Sequence, residues 1–283
     1  MTTIPRRTAV VTGASAGIGL VVARELAKSG WRVIGVGRDA GRAAAAQHAI
    51  DAAAPGSSFT MLRADLSLMG DVRQLARDIA EETDAIHLLV NNAGGTPARR
   101  IVTQDGFEQC FAGNHLGPFL LTQELLPLIE RAGEGAQIIN VASVAHRFIK
   151  DIQWDDLQME RKFDPGKAYS QSKLANILFT RALARRLADI GIRVNAVHPG
   201  FVQSNFASHG NAIVRLIYRL GTPFALTPEQ GADTILWLAA ERNPGTGGYF
   251  SKRRLAPLTP AASDEAGAER LWCISEDLLR ATR

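Results

Sequence analysis

Two side chains spaced one helical turn apart, Tyr169 and Lys173, could together transfer a proton near neutral pH. Their segment begins a predicted helix, and residues four apart lie on the same helix face. A free tyrosine titrates near ~10, too high for efficient acid–base catalysis, but a nearby ammonium favours the phenolate and lowers its pKa. The pair could therefore protonate a forming alkoxide or deprotonate an alcohol. Taken alone the spacing is common, and a surface pair is the alternative.

Ser143 and Asn114 add polar groups that such a reaction would use. Ser143 follows the predicted strand at residues 137–142, at the carboxyl edge of the sheet, where its hydroxyl could hold a substrate oxygen beside Tyr169. Asn114 lies midway along a predicted helix at residues 104–130 and could anchor a water that links Lys173 to solvent. Neither residue is diagnostic by itself, but the four together form one consistent catalytic set.

A glycine-rich turn at residues 12–19, T-G-A-S-A-G-I-G, follows the first predicted strand and opens the first predicted helix. Gly13 would permit the tight turn, Gly17 would admit a pyrophosphate and Gly19 would let helix and strand pack closely. The helix N-terminus adds unpaired N–H groups and a partial positive charge for phosphates. The spacing differs from G-x-G-x-x-G, and a turn without function is the alternative. The position favours a dinucleotide site that also includes Ser15, Ala16 and Ile18.

The end of the second strand, Gly37-Arg38-Asp39, predicts which dinucleotide binds. An acidic residue there favours a free ribose 2′-hydroxyl, whereas arginine favours a 2′-phosphate. Arg38 can fork onto a phosphate, so NADP(H) is predicted over NAD(H), which stays possible. Asp39 could instead be a ribose ligand, but a cap on the following helix is favoured.

Two further strand ends are predicted to contact the cofactor. Asp65 and Leu66 follow the third strand and would lie near the adenine, although Asp65 could also cap a helix. The run Asn92-Ala93-Gly94 ends the fourth strand, where small residues and amides can line a cofactor; by itself it is also an ordinary turn.

Alternating strand-like and helix-like patterns predict the elements that position these residues. Strands are predicted at residues 8–12, 31–36, 59–63, 86–91, 137–142 and 193–197, and helices at 18–28, 39–53, 70–82, 104–130, 168–189 and 228–240. Apolar strands that each precede a helix indicate a parallel sheet covered on both faces. We therefore expect an α/β, doubly wound Rossmann-type sheet in a single domain, residues 1–283, with its ligand at the carboxyl ends of the strands.

Composition argues against several other classes. The 283 residues are 46% hydrophobic, and the net charge of +4 comes from scattered basic residues, so a folded core is predicted and a nucleic-acid surface is not. The two cysteines favour a reducing compartment. No secretory signal or span of ~18 apolar residues is evident, so we expect a cytoplasmic protein without a membrane partner. The histidines show no spacing typical of a closed metal site; His115 and His146 are expected to pack.

The motifs in this order resemble the short-chain dehydrogenase/reductase family. The matching stretches are residues 12–19, 91–94, 114, 143, 169–173 and 199–200. The resemblance implies a catalytic tetrad of Asn114, Ser143, Tyr169 and Lys173. It also implies that Lys173 binds the nicotinamide ribose, that Tyr169 transfers the proton, and that the nicotinamide carboxamide meets the residues Pro199, Gly200 and Val202.

A closer resemblance is to the retinol-dehydrogenase-like branch, which includes the WW-domain oxidoreductases. It rests on N-H-L-G-P-F-L-L-T at residues 114–122, Y-S-Q-S-K-L-A-N-I-L-F-T at 169–180 and V-H-P-G at 197–200. The branch carries an insert between the catalytic serine and tyrosine, here residues 144–168. We expect a lid at 201–226 and a tail at 245–283 to contribute to substrate binding. Branch members usually prefer NADP(H), and the family often forms homodimers or homotetramers.

The sequence thus predicts an oxidoreductase that moves a hydride between NADP(H) and a carbonyl or alcohol, on a medium-sized apolar or aromatic substrate. Two alternatives stay open. The chain could bind NADP(H) without catalysis as a redox-sensing module, or it could reduce a C=C bond on the same scaffold. Many branch members have an N-terminal membrane anchor that is not seen here, which argues against a retinoid substrate.

Overall fold

Eight strands form one sheet in the computed structural model, which describes residues 6–202, 225–241 and 243–282. The order across the sheet is β3-β2-β1-β4-β5-β6-β7-β8, and only β8 runs antiparallel to its neighbour. The strand bounds are β1 Thr8–Thr12, β2 Arg32–Gly37, β3 Ser58–Arg63, β4 Leu88–Asn91, β5 Gln137–Val141, β6 Arg193–Val197, β7 Tyr249–Ser251 and β8 Arg254–Leu255. From β1 the chain adds β2 and β3 on one side, and then crosses over to add β4 and the later strands on the other side. In open sheets of this kind, ligands bind at this switch point between β1 and β4.

Helices cover both faces of the sheet, as the continuous apolar strands require. Their bounds are α1 Gly17–Lys28, α2 Ala40–Ala53, α3 Met69–Glu82, α4 Gln109–Phe111, α5 Gly117–Ala132, α6 Pro165–Arg186, α7 Pro228–Ala240, α8 Pro260–Ser263 and α9 Glu265–Arg280. One core cluster joins α1, α2 and α7 to the sheet, and the other joins α3, α5, α6 and α9. The doubly wound α/β prediction is confirmed.

Side-chain caps fix the starts of α2 and α6. The Asp39 carboxylate accepts the Arg42 N–H at 2.8 Å, which confirms it as the cap of α2. Asp164 caps α6 through the Lys167 N–H at 2.8 Å, so α6 begins at Pro165, three residues before the predicted start. Caps matter here because α6 carries Tyr169 and Lys173.

The predicted helix at residues 104–130 is wrong at its start. Residues 103–106 form a turn closed by a Gly106 N–H to Thr103 carbonyl bond of 3.0 Å, and the buried Glu108 carboxylate caps α4 instead. A π-helical turn, Ala112–Leu116, then joins α4 to α5. The tail elements β7, β8, α8 and α9 were not predicted.

The predicted substrate segments are described in part. The insert at residues 144–168 begins with a 3-10 turn, Val144–Phe148, and ends in the first turn of α6. Most of the predicted lid, residues 203–224, lies outside the described residues. Among the described helices, none combines the length and the apolar character that a bilayer-spanning segment needs.

Candidate active site

A cleft of about 960 Å³ opens at the carboxyl edge of the sheet, beside the β1–β4 crossover. It brings together many of the predicted cofactor residues from separate strand ends. Those that line it are Gly13, Ser15, Arg38, Asp65, Leu66, Ala93, Gly94 and Asn114. A cleft of this volume, lined from several strand ends, has room for a dinucleotide.

The glycine turn has the geometry that its sequence predicts. Gly13 and Gly17 have φ values of +70° and +56°, a backbone region that other residues rarely adopt. A β-carbon at Gly19 would overlap the Gly13 carbonyl oxygen and the Asn92 side chain. Ala16 precedes α1 and has no side-chain acceptor, so the first-turn N–H groups of α1 are left for a ligand.

Thr12 ties the glycine turn to the end of β4. Its hydroxyl oxygen accepts the Asn92 and Ala93 N–H groups, both at 3.0 Å, and its carbonyl accepts the Asn92 side-chain amide at 2.9 Å. The hydroxyl also donates to the Val90 carbonyl at 3.3 Å. These bonds hold the two strand ends together across the floor of the cleft.

Arg38 stands at the mouth of the cleft and pairs with Asp65, 3.3 Å from Nη1 to Oδ2. The Arg38 side chain is 60% exposed, so this pair contributes little stability and leaves the guanidinium open to a ligand. Asp65 is held in turn by the Ser67 N–H and hydroxyl, at 3.0 and 2.7 Å. It does not cap α3, whose first N–H, from Met69, bonds to Asp105 at 2.7 Å instead.

Lys173 is buried at the carboxyl end of β5, where it donates to the Val141 carbonyl oxygen at 2.9 Å. Its Nζ lies 5.6 Å from the centroid of the Tyr169 ring, so the structure brings the predicted pair together. Burial in a low-dielectric site lowers the pKa of Lys173 to about 8. The ammonium is still the main form at neutral pH, so it can favour a phenolate nearby.

Asn114 lies in the π-helical turn, and its side chain is fully engaged in fixing the cleft. Its amide nitrogen donates to the Gly95 carbonyl at 2.9 Å and to the Ser172 hydroxyl at 3.0 Å, and its oxygen accepts the Gly95 N–H at 2.8 Å. In an α-helix its carbonyl would accept from residue 118, but Pro118 has no N–H. The Asn114 carbonyl therefore receives no α-helical hydrogen bond from residue 118.

Ser143 caps the 3-10 turn after β5. Its Oγ accepts the Ala145 N–H at 3.2 Å, which leaves the hydroxyl hydrogen to donate elsewhere. Two histidines stand behind it. The Ser143 carbonyl accepts from His146 Nδ1 at 2.7 Å, and the Val144 N–H donates to His198 Nδ1 at 3.3 Å. Burial lowers the pKa of both imidazoles, to about 4 for His198. His146 is therefore a buried packing residue that is bonded to the Ser143 main chain, as predicted.

The residues after β6 close the site from the other side. Gly200 has a φ of +90°, and a β-carbon there would overlap the Leu226 side chain. Val202 pairs with Leu226 in a parallel bridge. The Val202 side chain packs against Gly231 of α7, as does Ile18 of the glycine turn. Thus Ile18 and Val202, far apart in sequence, lie beside the same helix.

Sequence reasoning missed several residues that line the cleft, among them Arg42 and Cys110. Arg42, in the first turn of α2, lines it together with Arg38, which precedes that helix, and the Arg42 guanidinium lies 3.6 Å from Asp39; the available signal was a second arginine close after Arg38 in the sequence. Cys110 also lines it, and its Sγ accepts from the Asn114 amide at 3.3 Å. Burial raises the Cys110 pKa to about 12, so its thiol stays protonated at neutral pH and is suited to packing rather than to nucleophilic attack.

Comparisons with known proteins agree with this geometry. The family described as short chain dehydrogenase matches residues 7–212. Human retinol dehydrogenase 12 is 41% identical over 98% of this chain and 87% of its own length. Human retinol dehydrogenase 11 is 38% identical over 98% of this chain and 86% of its own.

Solved structures show the same arrangement of strands and helices. An uncharacterized protein from Mycobacterium paratuberculosis superposes with a TM-score of 0.78 and 32% identity, over 97% of this chain and 93% of its own. The Pseudomonas aeruginosa protein RhlG, solved as an active-site complex with NADP, has a TM-score of 0.69 and 28% identity, over 88% of this chain and 95% of its own. The second comparison places a protein solved with NADP among the structural neighbours.

Proposed function

The chain belongs to the short-chain dehydrogenase family, in its retinol-dehydrogenase-like branch, and we propose that this oxidoreductase moves a hydride between NADP(H) and a carbonyl or alcohol. The observation that carries the proposal is the burial of Lys173 one helical turn from Tyr169, at the edge of the sheet where the cleft opens. That arrangement supplies the proton transfer that carbonyl reduction needs.

The cleft fits a dinucleotide in shape and chemistry. Gly19 lets the start of α1 pack directly against the Gly13 turn, and the first-turn N–H groups of α1, which no side chain caps, are left for a pyrophosphate. Ser15 and Asn92 stand on either side of that turn, and Ala93 with Gly94 continues along the cleft. When bound, the nicotinamide supplies or accepts the hydride at the substrate carbon.

Tyr169 acts as the acid and base. During reduction its phenolic proton passes to the substrate oxygen as that oxygen gains charge, and during oxidation it takes the proton back. The Lys173 ammonium stabilises the phenolate that remains, because opposite charges at close range favour the ionised form. Proton transfer near neutral pH follows from this pairing.

Ser143 orients the substrate. Because its Oγ already accepts a main-chain N–H, its hydrogen is directed to an acceptor such as a carbonyl oxygen. Lys173 uses one of its three hydrogens on Val141. The other two are available for the nicotinamide ribose and for a water held at the Asn114 carbonyl. In this proposal Asn114, Ser143, Tyr169 and Lys173 thus act as one unit.

The preference for NADP(H) rests on two guanidinium groups at the mouth of the cleft. Arg38 and Arg42 both line the end where the adenosine ribose would lie, and each is more than half exposed. A 2′-phosphate carries the charge that two arginines recognise, and a free 2′-hydroxyl does not. Asp65 balances the charge of Arg38 when no phosphate is present.

An apolar substrate is favoured by the side chains next to Ser143. Val144 is 40% and Phe148 77% exposed, unusual for large apolar residues, and Phe201 beyond Pro199 and Gly200 is 43% exposed. Apolar surface left open at a reaction site can bury a ligand's hydrocarbon. The names of the relatives make retinaldehyde an obvious compound to assay beside simpler aldehydes and ketones.

The test is a screen of aldehydes, ketones and alcohols, followed by the absorbance of reduced nicotinamide. We expect NADPH-dependent reduction of apolar aldehydes in the purified protein and none in Tyr169→Phe. A protein that binds NADPH but turns over no compound of the screen would contradict the proposal.

Assembly and location complete the proposal. A homodimer or homotetramer is expected, and sedimentation velocity of the purified chain measures it. A cytoplasmic location is expected, and fractionation of cells that express the chain tests it.

A further inference from the structure

The connection between Ser143 and Tyr169 determines what surrounds the reacting atoms. It leaves the end of β5 at Ser143, passes through the 3-10 turn, and re-enters a regular element at α6, four residues before Tyr169. Both of its ends carry proposed catalytic residues. Any movement of this connection therefore changes the space beside the substrate.

Gln171, a buried residue of α6, is hydrogen-bonded to this connection. It lies between Tyr169 and Lys173 in the sequence, and its side chain is only 2% exposed. Its Oε1 accepts the Gln153 N–H at 2.9 Å, and its Nε2 donates to the Leu157 carbonyl at 2.8 Å. Both ends of one buried amide are thus bonded to the main chain of the connection, which fixes residues 153–157 against the catalytic helix.

A second attachment holds the next residue. The Gln158 side-chain oxygen accepts the Glu108 N–H at 2.7 Å, and the Gln158 carbonyl accepts from Arg100 Nε at 3.0 Å. Leu157 is therefore bonded to α6, and Gln158 is bonded to the segment that leads into α4.

Met159 connects these attachments to the catalytic tyrosine. It has a φ of +48°, a left-handed conformation that is unfavourable for a residue with a side chain. Its side chain is 1% exposed and packs in a small cluster with Cys110, Ala168 and Tyr169. The backbone bonds on the preceding residues hold Met159 in this conformation, so the neighbour of the Tyr169 ring depends on them.

We propose that Gln171 is a positioning residue that clamps residues 153–157 to α6 and thereby restricts the size of the substrate beside Ser143 and Tyr169. The clamp consists of the two Gln171 hydrogen bonds and does not depend on any enzymatic activity. The size restriction rests on the oxidoreductase function proposed above. The two parts are tested separately.

Limited digestion with trypsin tests the clamp in the full-length protein without any substrate. Arg161 and Lys162 are exposed cleavage sites just beyond the clamped residues. Gln171→Met keeps the length of the side chain and removes both bonds, so cleavage at residues 161–162 is expected to accelerate at least about tenfold. The control is Gln47→Met, which removes a similar pair of amide bonds, to the Phe59 carbonyl at 3.2 Å and the Met61 N–H at 2.9 Å.

Steady-state kinetics with a short and a long aldehyde, benzaldehyde and decanal, test the size restriction. In Gln171→Met we expect the ratio of kcat/KM between the two aldehydes to change at least about fivefold, with the change in KM rather than in kcat. Loss of a general folding contact would lower both substrates alike and leave the ratio as it is.

Each result decides one part. Cleavage of Gln171→Met at the wild-type rate overturns the clamp whatever the enzyme reduces, and faster cleavage with an unchanged substrate ratio overturns the size restriction. If Gln171→Met does not fold, Gln171→Glu replaces it, because the carboxylate retains the acceptor for Gln153 and loses the donor for Leu157. Wild-type cleavage of that variant would also overturn the clamp. If neither aldehyde is reduced, the proposed function fails while the digestion still judges the clamp.

Discussion

The Lys173 ammonium lies 5.6 Å from the centroid of the Tyr169 ring and donates to the Val141 carbonyl at 2.9 Å, in a site that is almost closed to solvent. This relationship couples catalysis to a cost in stability. In the proposed mechanism this buried ammonium stabilises the phenolate of Tyr169, and the consequences of its burial can be measured.

Replacing Lys173 by an apolar residue should raise the stability of the protein and abolish its activity. Burial lowers the Lys173 pKa from 10.5 to about 8, so the unfolded state binds more protons between these values, and stability rises with pH across that window. Below pH 8, where Lys173 is charged in the folded protein, its burial lowers the free energy of unfolding by roughly 1–3 kcal/mol. Lys173→Met should therefore unfold at a higher denaturant concentration at pH 7, without cofactor, while losing turnover. A variant that is less stable than the wild type at pH 7 would show that this burial costs nothing.

Tyr169→Phe should remove turnover and leave cofactor binding nearly intact. The phenolic proton is the one that the reaction moves, whereas the ring keeps its packing against Met159. We expect kcat to fall by at least about a thousandfold, with an NADPH dissociation constant within about threefold of the wild type when measured by fluorescence. Residual turnover close to the wild-type rate would assign the proton to another group.

Arg38→Asp should shift binding from NADPH towards NADH. The substitution replaces a group that pairs with a phosphate by one that repels it, so the NADPH to NADH affinity ratio should fall at least about tenfold. Arg77→Asp, an exposed site on α3, serves as the control for a general loss of charge. An unchanged ratio in Arg38→Asp would point to Arg42 as the main reader of the phosphate.

Gly19→Ala should damage the glycine turn. Its new methyl group would overlap the Gly13 carbonyl oxygen, so the turn must shift, with a cost of about 1–3 kcal/mol in stability and weaker dinucleotide binding. Gly70→Ala is the matched control, because a β-carbon there meets open space at the start of α3. Urea unfolding of both variants, with and without NADPH, checks the difference. Equal stability of the two would argue against close packing at Gly19.

Acid should destabilise the protein through His115. Its ring is buried among Phe111, Phe119 and Phe179 and shares a 2.9 Å hydrogen bond with Ser275 of α9. Burial lowers its pKa from 6.5 to about 3, so the unfolded state takes up the proton first and stability falls as pH drops through that window. His115→Phe should flatten this part of the stability curve, measured by thermal unfolding between pH 7 and pH 4. A curve as steep as that of the wild type would assign the acid sensitivity to other groups.

Much of the fold could be predicted because its signals are local. The strands at residues 8–12 and 193–197 and the helix at 228–240 have the bounds that periodicity predicts, since apolar runs and turn residues act within a few positions. The helix at 104–130 failed at its start because glutamate is not a usual N-cap residue, so the local cap that Glu108 makes on α4 was not recognised. The short tail strands β7 and β8 were missed, since pairing with distant β6 decides them.

The sequence by itself determined which chemistry is available: a tyrosine and a lysine on one helix face, a serine after a strand, a glycine turn and an arginine for a phosphate. Only the tertiary structure decided the burial that lowers the Lys173 pKa, the bonds of the Asn114 side chain to Gly95 and Ser172, and the bonds of Gln171 to Gln153 and Leu157. The reason is physical. Residue type and spacing set what a side chain can donate or accept, but solvent access and partners are set by segments far apart in the chain, and these meet only when the sheet and its helices have packed.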